Sequence, residues 1–461
     1  MKKMLISSCF VAAALAVSAA TIDKVIVRQQ WPWSTDVKVE YLLSGVSAEH
    51  PVNLTVTAYE GGAELAVPAD AITGSRFGID KSGIGVLTID PVKAFGKARV
   101  SVPDFKIKLT AEDVSPDDMN EAVYKIFCLT DGTCEDVTRK DLLNGKWGSV
   151  ETDFAKIGDG FNTTLKDVLI WTAVTNDVKY KTTHLVMRKI SAAGKKWTIG
   201  SPTSETSQFQ ASANTSKEQP QRNVELSDDF YIGVFEVTQA QYGNYAGYKR
   251  TPGHAGDLLP MENDHYQGVR GAGSSMLDPH GEIVSWPTNS HLHTVCANSD
   301  LGYLRSKFGG VEFDLPMEAQ WEYACRAGTT TALNSGKGLD VVWTNWRAMT
   351  PEFDEIGWCA TNALMVTQEV GLKKPNAFGL YDMHGNVAEL CLDWHEAYPD
   401  SPDPLVDPKG PNGGGTRVAR GGSCNDPAAW CRSAFREGRV YYTANAYTGF
   451  RFVCPVNKTW E

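Results

Sequence analysis

The chain has 461 residues, 42% of them hydrophobic and 21% charged, with a formal net charge of −11. That length offers two or three domains and enough chain to bury a core without metal or disulfide staples. The acidic balance excludes nucleic acid as a partner, because a phosphate backbone is bound by basic surfaces.

Residues 1–20, MKKMLISSCFVAAALAVSAA, combine a Lys-Lys start, an apolar centre and small residues before Thr21. They read as a cleaved secretory signal peptide, which predicts a secreted or periplasmic protein. No later segment has the roughly 20 continuous apolar residues of a membrane span. Cys9 leaves with the signal, and nine cysteines remain. An oxidising compartment favours pairing, and an odd number leaves at least one thiol over.

Residues 21–110 alternate with period two. Val37, Val39 and Tyr41 share one face of VKVEYLL, and Val52, Leu54 and Val56 share one face of VNLTVTA. Half-buried strands separated by turns predict an all-β, immunoglobulin- or fibronectin-like sandwich. Residues 111–182 read as a second β module or a continuation of the first. There CLTDGTC signals a hairpin, with Cys128 and Cys134 either bridged across it or unrelated. DVLIWTAV (167–174) is a buried strand candidate, and VKYKTTHLVMRKI (178–190) alternates again. The polar run 202–222 predicts a long surface loop.

From about 183 to 456 the chain carries four ordered motifs. They are FYIGVFEVTQAQYGNY (230–245), LPMEAQWEYACRAGT (315–329), PNAFGLYDMHGNVAELCLDW (375–394), and RVARGGSC (417–424) followed by CRSAFR (431–436) and TGFRFV (448–453). Together they resemble the formylglycine-generating enzyme, or sulfatase-modifying factor, family. The resemblance implies a multidomain protein whose C-terminal part is a mixed α/β, C-type-lectin-like domain rich in irregular structure. The second motif also has a physical reading as a core helix, with Pro316 in its first turn and Gly328 as its stop.

In the third motif the resemblance implies a Ca²⁺ site, formed by the backbone carbonyls of His384, Gly385 and Val387 with the Glu389 carboxylate. Hard oxygen donors on a turn suit that ion. A plain turn capped by Asn386 is the alternative. A second family calcium site would fall near Asn345 and 353–366, where no clear match stands.

Formylglycine-forming enzymes oxidise a cysteine of a protein substrate with two cysteines, four residues apart, that bind Cu(I), an ion suited to soft thiolates. Here Ser423 plus eight is Cys431, but the first cysteine's place falls on Asp426. Aligned instead on CRSAFR, both copper cysteines fall in a deletion. Either way the pair is missing. Ser423, Cys424 and Cys431 remain the candidate catalytic residues. The resemblance further implies disulfides Cys325–Cys431 and Cys296–Cys454, which leaves Cys359, Cys391 and Cys424 over.

Other members of this superfamily use non-haem iron. His265, His280, His291, His293, Asp393 and His395 are available here, without an evident two-histidine-plus-carboxylate set. Trp430, Tyr441, Tyr442 and Tyr447 with Arg432, Arg436 and Arg439 could line a groove for a peptide or sugar. Two functions therefore stand: an oxidase acting on an exported protein, such as a sulfatase, or a non-catalytic peptide- or glycan-binding protein on the same fold. A non-haem iron enzyme is a third.

Overall fold

A computed structural model of the chain describes residues 20–100, 104–152, 169–206, 217–247, 252–271, 295–339, 348–398, 404–411 and 413–456. The signal-peptide reading of 1–20 therefore lies outside them except at Ala20. So do Asn345 and the histidines 280, 291 and 293. The chain forms two compact units, one of residues 1–121 and 138–146, the other of 122–137 and 147–461. The stretch 111–182 thus contributes to both.

In the first unit, strands β1 (Thr21–Gln29), β2 (Val37–Ser44), β3 (Val52–Glu60), β4 (Ala63–Leu65), β5 (Ile72–Thr73), β6 (Gly83–Ile89) and β7 (Phe105–Asp113) form two antiparallel sheets. One has the order β1-β2-β6-β5 and the other β4-β3-β7. The period-two reading holds in β2, where Val37, Val39, Tyr41 and Leu43 are buried while Lys38 and Leu42 are exposed. These residues share one apolar cluster with Val52, Leu54 and Ala58 of β3 and Leu109 of β7.

The second unit is built on a five-stranded sheet in the order Val453–Pro455, Phe230–Gly233, His184–Ile190, Ala122–Cys128, Cys134–Thr138. The 128–134 hairpin forms, and Gly132 takes the positive φ, 79°, that its turn requires. Cys128 and Cys134 remain thiols, however, and Cys128 Sγ lies 3.1 Å from Thr130 Oγ1. Of the expected strand at 167–174, the described residues 169–174 do not form one. Ile170 makes a single bridge to Glu151, and Thr172–Thr175 coils into a 3₁₀ turn. The aromatic payload decides this: Trp171 is buried edge-on against Tyr124, Trp147 and Tyr180.

Two further elements position the site. Thr238 caps the helix Gln239–Ala246 by accepting from the Gln241 backbone N–H, and the Gln241 side chain accepts from the Thr238 N–H in return. The helix Glu318–Arg326 begins two residues after Pro316, so that proline precedes the helix rather than filling its first turn. It ends on Ala327 at φ 45°. Trp321 and Cys325 of this helix pack with Ile190, Val224, Ile232 and Val418 in one core cluster. The four-stranded sheet Arg436–Val440, Thr416–Arg420, Ala388–Trp394, Thr448–Gly449 brings the last two sequence motifs side by side. No helix among the described residues is long and apolar enough to cross a membrane.

Candidate functional site

The turn after Thr416–Arg420 holds Ser423, Cys424 and Cys431, all 1% exposed or less. Ser423 donates its hydroxyl to Asp426 Oδ2 at 2.6 Å, and its backbone N–H donates to the same oxygen at 2.9 Å. Asp426 is itself buried, which pushes its carboxyl above the ordinary carboxylate range. The Ser423 oxygen thus acts as a turn brace.

Cys424 donates its N–H to the Asn386 carbonyl at 2.8 Å, so the Gly-Gly-Ser turn and the Gly385-Asn386 turn are tied together. Burial pushes the Cys424 thiol up, and the carboxyl groups of Glu262, Glu236 and Asp426 push it further. Cys431 Sγ points at the carbonyls of Ser423 and Pro427, at 3.8 and 3.7 Å. Its thiol is pushed up by burial first, then by neighbouring Cys359, Asp426 and Cys424. A reactive thiolate needs exposure and a positive neighbour. Both thiols here have the reverse.

The expected disulfides do not form. Cys325 is a buried thiol, raised to about 12 by burial, and its Sγ faces the Met383 carbonyl. Cys454 Sγ faces Met187 Sδ at 3.8 Å. Cys325, Cys431 and Cys454 all remain unbridged.

His384 is fully buried. Its Nε2 accepts from the Asn334 N–H at 3.1 Å, so Nδ1 carries the proton and donates it to the Cys431 carbonyl at 2.6 Å. Glu389 accepts from Arg451 through both oxygens at 2.6 Å and from Trp321 Nε1 at 2.7 Å. The expected calcium carboxylate is therefore already neutralised by a guanidinium. A cation on the His384, Gly385 and Val387 carbonyls would have to compete with Arg451 for it. Among the described residues no group of three or more His, Cys, Asp or Glu is placed to hold a metal ion. Of the iron candidates that are described, His265 caps a helix through Nδ1 and Asp393 accepts from the Glu318 N–H at 2.7 Å.

Of the three arginines expected to line a groove, Arg432 and Arg436 are interior and Arg439 is half-buried. Arg432 is held by Glu218, Glu205 and Ser201, and Arg436 pairs with Glu318 at 2.6 Å through two nitrogens. Arg439 pairs with Glu437. Trp430 stacks on Phe435 and Tyr441 sits against Trp394, while Tyr442 stays 58% exposed.

The sequence reading missed the acids behind Cys424. Glu236 is fully buried, accepting from Asn386 Nδ2 at 2.7 Å and from the Val387 N–H at 3.1 Å. Burial first, then Asp382 and Glu389, push it well up. Glu262 is also fully buried; Oε1 accepts from the His254 N–H at 2.6 Å, and Oε2 has no hydrogen-bond partner among the described residues. A lone acid inside the apolar run YIGVFEV was the available signal for Glu236.

A family model described as the sulfatase-modifying factor enzyme 1-like domain matches residues 198–456. Among relatives, the chain is 31% identical over 202 residues to the chaperone protein LppX of Paenibacillus barcinonensis, covering 40% of this chain and 68% of that protein. It is 28% identical over 266 residues to the formylglycine-generating enzyme of Bos taurus, covering 51% and 67%. Against the solved variable protein 1 of Treponema denticola the identity is 26% and the TM-score 0.43, covering 59% of this chain and 96% of the other.

Proposed function

This chain belongs to the sulfatase-modifying-factor family through residues 198–456, and we propose that its C-terminal unit binds an exported polypeptide without oxidising it. One observation carries the reading: Cys424 is fully enclosed, and burial first, then the carboxyl groups of Glu262, Glu236 and Asp426, push its thiol up. Copper chemistry of the formylglycine type needs two accessible thiolates, and an enclosed, desolvated setting opposes each of them. The absence of a Cys-x₄-Cys pair from the sequence agrees with this. A relative that carries the name chaperone protein agrees with a polypeptide partner. The two N-terminal sheets on their shared core are read in the same proposal as an immunoglobulin- or fibronectin-like sandwich that presents this unit. Residues 1–20 are read as its cleaved signal.

Anaerobic Cu(I) titration with counting of native thiols tests the proposal. The expected result is no stoichiometric Cu(I) complex, with Cys424 and Cys431 reacting with a thiol reagent only after unfolding. A stoichiometric Cu(I) complex, or conversion of a sulfatase-type cysteine peptide to formylglycine in the mass spectrum, would overturn it.

A further inference from the structure

The turn between β1 and β2 carries the most exposed large apolar side chain of the described residues. Trp33 is 89% exposed and Trp31 is 42% exposed, on either side of Pro32. Water contact on two indoles wastes the strongest apolar contributors a chain has. Neither ring makes a hydrogen bond or an aromatic contact among the described residues.

The turn is braced rather than loose. Ser34 N–H donates to the Gln30 carbonyl at 2.9 Å, and Asp36 N–H to Ser34 Oγ at 3.1 Å. The Gln29 side chain donates to the carbonyls of Thr35 and Ala98 and accepts from the Val100 N–H, pinning the strand end to the 98–100 segment. The indoles are therefore held out by a pre-formed support.

The charge around them runs against the chain's average. In a protein of net charge −11, the turn is flanked by exposed Arg28, Lys38 and Arg99. Arg28 and Lys38 face each other in register one pair below the turn, and Arg99 lies beside Gln29. Glu40 engages Arg28 at 3.5 Å, and Asp36 is the exposed acid of the turn itself. Small-molecule and sugar sites are concave. A pair of indoles at the tip of a turn, with cations below them, fits a soft medium that closes around them and offers phosphate at its surface.

We propose that this turn docks the protein on an anionic phospholipid surface, with Trp31 and Trp33 seated among the headgroups and Arg28, Lys38 and Arg99 against phosphate. The proposal is independent of the function assigned to the C-terminal unit. The test is co-sedimentation of the full mature chain with vesicles of phosphatidylcholine alone and of equal parts phosphatidylcholine and phosphatidylglycerol. Binding to the mixed vesicles is expected, weakened by added salt. It should fall at least about tenfold in the Trp31→Ala, Trp33→Ala double variant. Trp33→Ala alone, at so exposed a position, should bind several-fold less tightly with an unchanged melting temperature. Equal partitioning of wild type and variants, no binding of wild type to mixed vesicles, or retention on insoluble polysaccharide alone would each overturn the proposal.

Discussion

His384 is an ionisable side chain held in one protonation state by two hydrogen bonds and complete burial. Burial lowers its imidazole from 6.5 to about 4. A depressed folded value means its contribution is full above pH 6.5 and is lost as pH falls through 4, roughly 3 kcal/mol in all. Asp393 and Glu437, each pushed up to about 7 by burial first, run the other way: their share is full in acid and lost as pH rises through 7. The His384 share is therefore visible only by comparison. His384→Gln should be less stable than wild type near pH 7, and urea melts near pH 4.5 should show that gap narrowed by about half or more. An equal gap at both pH values would contradict a buried neutral imidazole. The motif around His384 was legible in the sequence. Its burial was not, because the residues that cover it, Asn334 and Cys431, lie about fifty positions away on either side.

At the scale of elements, the helix Glu318–Arg326 is anchored by charge as well as by its apolar face. Glu318 meets Arg436, Glu322 meets both Arg420 and Arg326, and Trp321 shares Glu389 with Arg451. Each of these acids is buried, so the value of a pair lies in what its loss exposes. Arg451→Met should cost about 3–5 kcal/mol in urea unfolding, since it strands a buried Glu389. Adding Glu389→Leu should recover part of that loss, because the second change removes the stranded charge. A single substitution costing under about 1 kcal/mol would show that the pair is hydrated. The helix itself was readable from its spacing. Arg432 and Arg436, by contrast, read equally well as groove residues until Glu218 and Glu318 were seen to enclose them.

At the scale of the whole molecule, the described C-terminal unit is held by arginine–carboxylate pairs among its apolar clusters. Cys325, Cys431 and Cys454, expected to cross-link it, stay as buried thiols. With Glu389 engaged by Arg451, a calcium chelator should leave the melting temperature of the full chain within about 1 °C. A fall of several degrees, restored by added Ca²⁺, would instead mean that the ion displaces the guanidinium.

The sequence by itself determined what is local or ordered along the chain. Alternation marked β2 and β3, Asp131-Gly132 marked a hairpin, and four motifs in fixed order marked the family. Tertiary structure alone decided the surroundings of the candidate site. Whether Cys424 is a nucleophile or an inert thiol depends on solvent and neighbouring charge, and the carboxyl groups of Glu236 and Glu262 come to it from more than 150 residues away. Periodicity records which face of a strand is apolar. Desolvation and charge at one sulfur depend on every segment that folds over it.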